Sequence, residues 1–509
     1  MPREASSLSQ LLRERVARHA RAGRTALIET HGAVSYAELG ERIERYSSVL
    51  PALAGDVARG ELVGVPASRS AESVARFFGV MQAGACPAFL EPGLGAEALA
   101  RCAQTVDMPR VVLDEESAGL TQDLEQAGLR VHSAGELQPQ SRRSAAAAAA
   151  SHGTLGGADL AMMQFTSGTA SGRPKGALLS HGNLLAHARG IIERTGLTEL
   201  DRLLHVMPLN HTNGVNNQLI APLLAGATIV LAPRFCPEDV EDQIAEHRVT
   251  YVTGVPTMYA RVLPHLRGGA ALRSLRFLRC GSAPITAQLH EEVEAAFETP
   301  LIVSYGLSEA TCTSAMNPIG ARRVGTVGTV LRGQRVGIFL PGTGQRAPTG
   351  AEGEIRIAGP CLMRGYAGRP AGSGAEYEEA ESPIRGGWLR TGDLGCFDGD
   401  GYLAVTGRLK EVIVRGGETV SPRSIEDVLA GHPAVTACCV VGRPDADLGE
   451  AVVAFVVRRG GAAVDAAALS ALVGRHLPRS HVPAAIRFIE ALPVTAVGKV
   501  DRRALRARA

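Results

Sequence analysis

An α/β fold that gives way to a β-rich segment and then to a separate α+β unit is what this 509-residue chain predicts. Three observations carry the prediction. Helix-like and strand-like segments alternate through roughly the first 320 residues, the rhythm of βαβ units. From about Arg323 the pattern changes to short strands broken by glycine and proline. Beyond Arg408 a helix pattern followed by strand patterns resumes.

The elements follow in order. The N-terminal run MPREASSLSQLLRERVARHARAG is arginine-rich, but Glu4, Glu14 and the missing apolar core make it an amphipathic first helix rather than an organelle presequence. Ala145–Ala150, preceded by Arg142, Arg143 and Ser144, reads as an exposed connector. ATIVLAP and VTYVTGV are strand candidates separated by a helix pattern around Glu238 to Glu246. GQRVGIFLPGTGQRAPTGAEGEIRIAGP predicts a small β-barrel or distorted sheet. IEDVLAGHPAVTACCVVGRPD and GEAVVAFVVRRG predict a helix and strands of a last α+β unit, with Cys438 and Cys439 as core strand residues.

Composition excludes several classes. The 53 basic and 51 acidic residues nearly cancel, so no global field recruits nucleic acid or an anionic membrane. No apolar run reaches the roughly 18 residues that span a bilayer. The nine cysteines are scattered, odd in number and without a C-x-x-C pair. That usage points to a reducing, cytoplasmic setting and away from structural zinc.

Chemistry enters at TSGTASGRPKG, from Thr166 to Gly176. The run follows the apolar LAMMQF and precedes a helix pattern near His181, and so reads as strand, phosphate-cradling turn and helix. Gly168, Gly172 and Gly176 let the backbone approach an anion, Ser167, Thr169 and Ser171 offer hydroxyls, and Lys175 offers a positive charge. The spacing is not that of a Walker A loop. Four further motifs follow in order: SYGLSEAT (Ser304–Thr311), WLRTGDLG (Trp388–Gly395), GRLKEVIVRGGETVSPRSIE (Gly407–Glu426) and LPVTAVGKVDRRAL around Lys499. Taken singly, Glu309 reads as a helix cap and Asp393 as a turn cap.

Together the five motifs resemble those of the adenylate-forming superfamily, the acyl-CoA synthetases and their relatives, and the likeness runs from VSYAEL (Val34–Leu39) and FFGVMQAGACPAFLEP (Phe77–Pro92) to the last residues. The resemblance implies a large N-terminal unit, residues 1–408, of two doubly wound α/β subdomains plus a small β-barrel, and a mobile C-terminal α+β domain, residues 409–509. It implies ATP-dependent activation of a carboxylic acid as acyl-adenylate, then transfer to CoA, with ATP, Mg²⁺ and CoA required. By the same resemblance Thr166, Ser167, Gly168, Thr169 and Lys175 fold over the β- and γ-phosphates, Glu309 holds Mg²⁺, Ser308 touches the α-phosphate and Tyr305 lies against adenine. Asp393 and Arg408 grip the ribose hydroxyls, and Lys499 bridges the acid's carboxylate and the α-phosphate. Ser304, Gly306, Gly281, Ser282 and Ala283 complete the nucleotide site. Two departures stand out: the phosphate loop is one residue longer around Ala170 and Ser171, and Ser308 replaces a threonine.

The segment MPLNHTNGVNNQ (Met207–Gln218) corresponds to the family's histidine-containing region, with His211 as gate or wall of an acyl pocket that Asn213, Val255, Gly281 and Gly306 also line. Asn213, Asn216 and Asn217 make this neighbourhood polar, and no aspartate stands where an amino-acid substrate's amine would bind. A small or polar acid is therefore expected. Lys410 matches the hinge on which the C-terminal domain turns, and Gly416, Gly417 and Glu418 match a loop that forms the pantetheine tunnel. CoA is the expected acceptor, with a carrier-protein pantetheine or another nucleophile as the alternative. The resemblance leaves room for a homodimer.

Overall fold

The computed structural model describes residues 7–53, 57–91, 93–133, 154–166, 175–368, 382–460, 462–495 and 499–509. The Ala145–Ala150 connector and most of the phosphate loop, including Ser167, Gly168, Thr169, Ala170, Ser171 and Gly172, lie outside the described residues.

The first helix, Leu8–Arg21, begins at Ser7, whose hydroxyl accepts from the Gln10 N–H at 3.1 Å, and buries Leu8, Leu12 and Val16. It packs on the helices Tyr36–Leu53 and Ala221–Ala225 and shares a core with a nine-stranded sheet. Five parallel pairings join Leu301–Tyr305, Phe277–Cys280, Tyr251–Gly254, Arg202–His205, Thr228–Leu231 and Thr25–Glu29 in that spatial order. Gly32–Ser35 closes one edge antiparallel, and Ala315–Met316 with Thr329–Val330 closes the other. Alternate residues enter different cores: Phe277 joins the cluster that contains Leu203, Tyr251 and Ile302, whereas Leu278 and Cys280 join one with Leu204, Val252 and Val293. That alternation is the side-chain period of a strand, and cover on both faces is what parallel sheets require.

A second, four-stranded parallel sheet runs Cys86–Leu90, Leu62–Pro66, Arg110–Leu113, Arg130–Ser133. The strands ATIVLAP and VTYVTGV predict appear as Thr228–Leu231 and Tyr251–Gly254, with the helix Val240–His247 between them. The β-rich segment is an antiparallel five-stranded sheet of Arg335–Phe339, Gly353–Ala358, Ile384–Arg385, Trp388–Phe397 and Leu403–Arg408. Its strand order does not close on itself among the described residues, which is the distorted-sheet form of the expectation. The last sheet joins Glu418–Val420, Ile413–Arg415, Gly449–Arg458, Val435–Asp445 and Ala485–Phe488, with the helix Pro422–Ala430 against it. Cys439 is buried there and Cys438 partly so.

The strand before the phosphate loop and the helix near His181 are both where the sequence puts them, as Leu160–Thr166 and His181–Thr195, but a strand that the sequence pattern does not predict, Lys175–Ser180, stands between loop and helix and pairs antiparallel with Leu160–Thr166. The helix His181–Thr195 begins only after Ser180, where a capping box fixes its start: Ser180 Oγ accepts from the Asn183 N–H at 3.3 Å, and Asn183 Oδ1 accepts from the Ser180 N–H at 2.9 Å. The alternating burial of KGALLS satisfies a strand pleat, and the strand brings Lys175 opposite Thr166.

Candidate active site

The parallel strands of the nine-stranded sheet end together, and candidate side chains from the motifs gather at and beside those ends, where ligands bind in open α/β sheets. Tyr305 closes the strand Leu301–Tyr305, and the chain turns through Gly306 into the short helical turn Ser308–Ala310. A Cβ at Gly306 would stand 1.8 Å from the Cys312 carbonyl oxygen, so only glycine permits this crossing. A Cβ at Gly281 would meet the Ser304 hydroxyl at 2.8 Å. Ser282 (φ 66°) and Thr311 (φ 70°) hold left-handed backbone without being glycine, and such strain concentrates at functional sites.

Asp393 and Arg408 face each other across adjacent antiparallel strands. Arg408 Nε donates to Asp393 Oδ1 at 2.6 Å, and the Tyr305 hydroxyl donates to Asp393 Oδ2 at 2.7 Å. Asp393 is 6 % exposed, so this is a nearly buried carboxylate with both oxygens engaged, not a solvated turn cap. Its charge raises Arg408 above the usual guanidinium range, and burial, reinforced by Asp393, pushes the Tyr305 phenol up.

Glu309 accepts from the Tyr366 hydroxyl at 2.8 Å, and Lys175 Nζ lies 4.8 Å from the centre of the Tyr366 ring. Tyr366 pairs with Ala177 on the strand that Lys175 opens, so one hairpin edge ties the phosphate-loop lysine to the Glu309 carboxylate. Ser308 and Ala283 sit partly exposed nearby in sequence to Glu309 and Ser282, and the Ser308 hydroxyl makes no described hydrogen bond.

Lys499 reaches this group from the segment that follows the last strand, Ala485–Phe488, of the C-terminal sheet. A bridge between Val494 and Val500 folds its segment back, and the Thr495 N–H donates to the Lys499 carbonyl at 2.7 Å. Burial holds its ammonium below the ordinary lysine range, aided by Arg408 and opposed by Asp393, Cys312 and Glu309. Its charge also reaches His211, whose pKa falls to about 4, first through burial. His211 is therefore a neutral imidazole near pH 7, and its Nδ1 accepts from the Asn213 N–H at 3.3 Å.

The asparagines expected beside it are buried and bonded. Asn213 Nδ2 donates to Ser282 Oγ at 3.5 Å, and Asn217 Nδ2 donates to Asn213 Oδ1 at 2.8 Å and to Cys312 Sγ at 3.0 Å. Asn216 Nδ2 donates to Thr212 Oγ1 at 3.0 Å. All three lie on a wide helical turn, Asn213–Ile220. Val255 is fully buried at the start of the helix Pro256–Val262.

Lys410 and the loop Gly416–Glu418 are not brought to this cluster. Lys410 lies in the turn after Leu403–Arg408, and Gly416, Gly417 and Glu418 are exposed. Arg415 pairs directly with Glu418, so Gly416 (φ 58°) and Gly417 (φ 81°) form the two-residue positive-φ turn of a hairpin. Tyr366, Cys312 and Arg279 are residues the motifs did not flag. Arg279 carried a signal, a charge within the otherwise apolar FLRC. So did composition: the chain has three lysines, Lys175, Lys410 and Lys499, and every one falls within a motif.

The C-terminal domain meets the larger part away from the cluster as well. Arg423 Nη2 donates to the Ile285 carbonyl at 2.8 Å, Arg459 pairs with Glu292 at 3.4 Å, and Ser421 Oγ donates to the Thr406 carbonyl at 2.9 Å.

Comparison with known proteins agrees with this arrangement. The AMP-binding enzyme family matches residues 12–367, and the AMP-binding enzyme C-terminal domain matches residues 424–499. A feruloyl-CoA synthase from Amycolatopsis is 34 % identical over 499 residues, covering 96 % of this chain and 97 % of that protein. A sulfoacetate–CoA ligase from Cupriavidus necator is 39 % identical over 346 residues, 67 % of this chain and 66 % of that one. Among solved structures, ATP-bound MatB from Rhodopseudomonas palustris superposes with a TM-score of 0.87 at 31 % identity, covering 98 % of each chain. The chain belongs to the AMP-binding enzymes, the adenylate-forming acyl-CoA synthetase family.

Proposed function

We propose that this protein is an ATP-dependent ligase joining a small, polar carboxylic acid to CoA. The observation that carries the reading is the convergence of Lys499, from the C-terminal segment, with Glu309, Asp393, Arg408 and His211 of the larger part. In the first half-reaction a carboxylate oxygen attacks the α-phosphorus of ATP, the bond to the β-phosphate bridging oxygen breaks, and pyrophosphate leaves. Two anions must meet, so the chain's task is neutralisation and in-line positioning. Lys499 contacts the carboxylate and the α-phosphate, where a compact ammonium follows the moving charge. Thr166 and Lys175, with Ser167, Gly168 and Thr169, hold the β- and γ-phosphates. Asp393, charge-balanced by Arg408, accepts from the ribose hydroxyls, Tyr305 and Gly281–Ala283 border the adenine, and Ser308 meets the α-phosphate.

The residues fit Mg²⁺. No group of three His, Cys, Asp or Glu among the described residues suits a metal, and the lone Glu309 suits an ion that takes its remaining ligands from phosphate and water. Glu309 would hold it, and the bound ion would neutralise phosphate charge.

In the second half-reaction the CoA thiolate attacks the acyl carbonyl and AMP leaves. Lys410 is the pivot on which residues 409–509 turn against 1–408, and the Gly416–Glu418 loop then borders the pantetheine arm. The exposure of that loop in the present arrangement supports a role confined to the turned state.

A small, polar acid follows from the pocket wall. Asn213, Asn216 and Asn217 are all at most 3 % exposed beside His211, a surface that disfavours a long alkyl chain. Sulfoacetate, the acid of one relative, is small and polar. No helix of the described residues is long and apolar enough to cross a membrane, and a cytoplasmic location suits the nine free cysteines.

The test is ATP–pyrophosphate exchange over a panel of acids, followed by mass detection of acyl-CoA. Exchange that depends on a small polar acid, with thioester formed from CoA, is expected. Absence of acid-dependent exchange would remove the ligase reading. Exchange without thioester from CoA would move the acceptor to a carrier-protein pantetheine or another nucleophile.

A further inference from the structure

Arg279 is a buried cation without a counterion among the described residues. It is 3 % exposed in the strand Phe277–Cys280, and among the described residues no carboxylate lies within ion-pair distance of it. Its two described hydrogen bonds run from Nε to Ser304 Oγ at 3.3 Å and from Nη2 to Thr313 Oγ1 at 2.6 Å, engaging two of its five N–H groups. Burial lowers its pKa only to about 10, so it stays cationic at neutral pH. A buried guanidinium held by two neutral hydroxyls is costly, and proteins ordinarily pair such a charge.

Its position gives that cost a use. His205, Thr253 and Arg279 are side-by-side partners across three parallel strands, one step above the apolar layer of Leu203, Tyr251 and Phe277. Sheet ends of this kind face the ligand crevice. His205 is occupied, accepting from Arg69 and donating to the Gly214 carbonyl at 3.0 Å, whereas the buried Thr253 hydroxyl has no partner among the described residues. A polar chain links Arg279 to the reacting end of the site. Thr313 Oγ1 accepts from Asn217 at 3.4 Å, Asn217 donates to Cys312 and Asn213, and Asn213 N–H meets His211. Cys312 is within electrostatic reach of both Arg279 and Lys499.

We propose that Arg279 receives a second anionic group on the acid, a carboxylate or sulfonate, while the reacting carboxylate faces Lys499. This rests on the ligase reading above and narrows its substrate to short dianionic acids. The reacting carboxylate loses its charge on adenylation, whereas the second group keeps its charge and its partner throughout, so Arg279 fixes orientation and selectivity. A guanidinium suits this task because its planar fork matches either oxyanion bidentately.

The test compares matched acids that differ in the charge of the distal end: succinate against levulinate, and sulfoacetate against methylsulfonylacetate. ATP–pyrophosphate exchange is measured for the wild type, Arg279→Met, Arg279→Gln and Arg279→Lys. The wild type should favour the dianionic member by about 10²-fold in kcat/KM, because a neutral end leaves a buried charge unpaired. Arg279→Met and Arg279→Gln should bring that ratio to near unity with KM for ATP little changed, and Arg279→Lys should retain part of it. The ratio separates the proposal from a structural role, since general damage lowers both members alike. A wild-type preference for the neutral-ended acids, or an unaltered ratio in every soluble variant, would overturn the proposal while leaving the ligase reading intact. If no acid of any kind supports exchange, both fall.

Discussion

Lys499 and Asp393 are the two residues whose environments differ most from what their sequence neighbours describe. A lysine ten positions from Ala509 reads as a solvated surface charge, yet burial holds its ammonium below the ordinary range and the Glu309, Asp393 and Arg408 charges surround it. Lys499→Ala should slow adenylate formation by on the order of 10²-fold or more, the scale for removing one transition-state charge stabiliser. Lys499→Arg should not restore it, because a planar, delocalised cation does not substitute for a compact one. Thioester formation from supplied acyl-adenylate should persist in both, and single-turnover measurement of each half-reaction checks this. Adenylation at the wild-type rate in Lys499→Ala would refute the assignment. Asp393→Ala should weaken ATP binding by about 1–3 kcal/mol, through loss of a charged acceptor and release of Arg408. Calorimetric titration with ATP reads it, with a melting curve as control because the Tyr305 hydroxyl loses its partner too. Equal affinity in both proteins would exclude Asp393 from the nucleotide site. The candidates were legible here because the motifs are local. What no motif revealed was the shared carboxylate that joins Tyr305, Asp393 and Arg408, since that contact depends on register between strands.

Among the elements, the hairpin at Gly416–Gly417 and the turn at Lys410 allow the two half-reactions to be separated. A side chain at Gly417 meets nothing within 4 Å, although its φ of 81° disfavours any residue with a Cβ. Gly417→Trp should therefore cost about 1–2 kcal/mol of local strain but leave the fold and adenylation in place. The Lys410 N–H donates no described hydrogen bond, so Lys410→Pro removes none of the bonds that fix this turn, which run from Glu411 and Val412 to the Arg408 carbonyl. Both variants should release pyrophosphate near the wild-type rate and form acyl-CoA at least about tenfold more slowly, as expected when a conformational step is blocked. Parallel loss of both activities would indicate general damage, and full acyl-CoA synthesis by Gly417→Trp would remove the tunnel assignment. At this scale the apolar runs predicted strands and helices well. The strand Lys175–Ser180, between the phosphate loop and the expected helix at His181, was not legible because its pairing with Leu160–Thr166 is a tertiary choice.

For the whole molecule, histidine burial makes stability depend on acidity. His181, His187 and His205 are at most 1 % exposed, and burial takes their pKa values to about 4, about 3 and about 3. His211, at about 4, behaves alike. Each folded-state value lies below that of an unfolded histidine, near 6.5. The unfolded chain therefore binds more protons as pH falls. The stability these groups contribute is complete above about pH 6.5 and is lost progressively towards pH 4, at up to about 1.4 kcal/mol per pH unit for each histidine. Melting temperature should be level from pH 7 to 8 and fall steeply below about pH 6. A level profile down to pH 4 would show that these imidazoles are protonated without cost, contrary to their burial.

The sequence by itself determined the order of the α/β, β-rich and α+β segments, the family, and the residues of each motif, because hydrophobic period and motif spacing are properties of neighbours along the chain. Only the tertiary structure decided that Lys499 lies among Glu309, Asp393 and Arg408, that Tyr366 ties Lys175 to Glu309, and that the arginine of FLRC is a buried, unpaired cation at a sheet end. Each of these depends on which distant strands lie side by side. Pairing of that kind is set by the packing of whole faces, and burial and charge at a point follow from it rather than from the residues on either side.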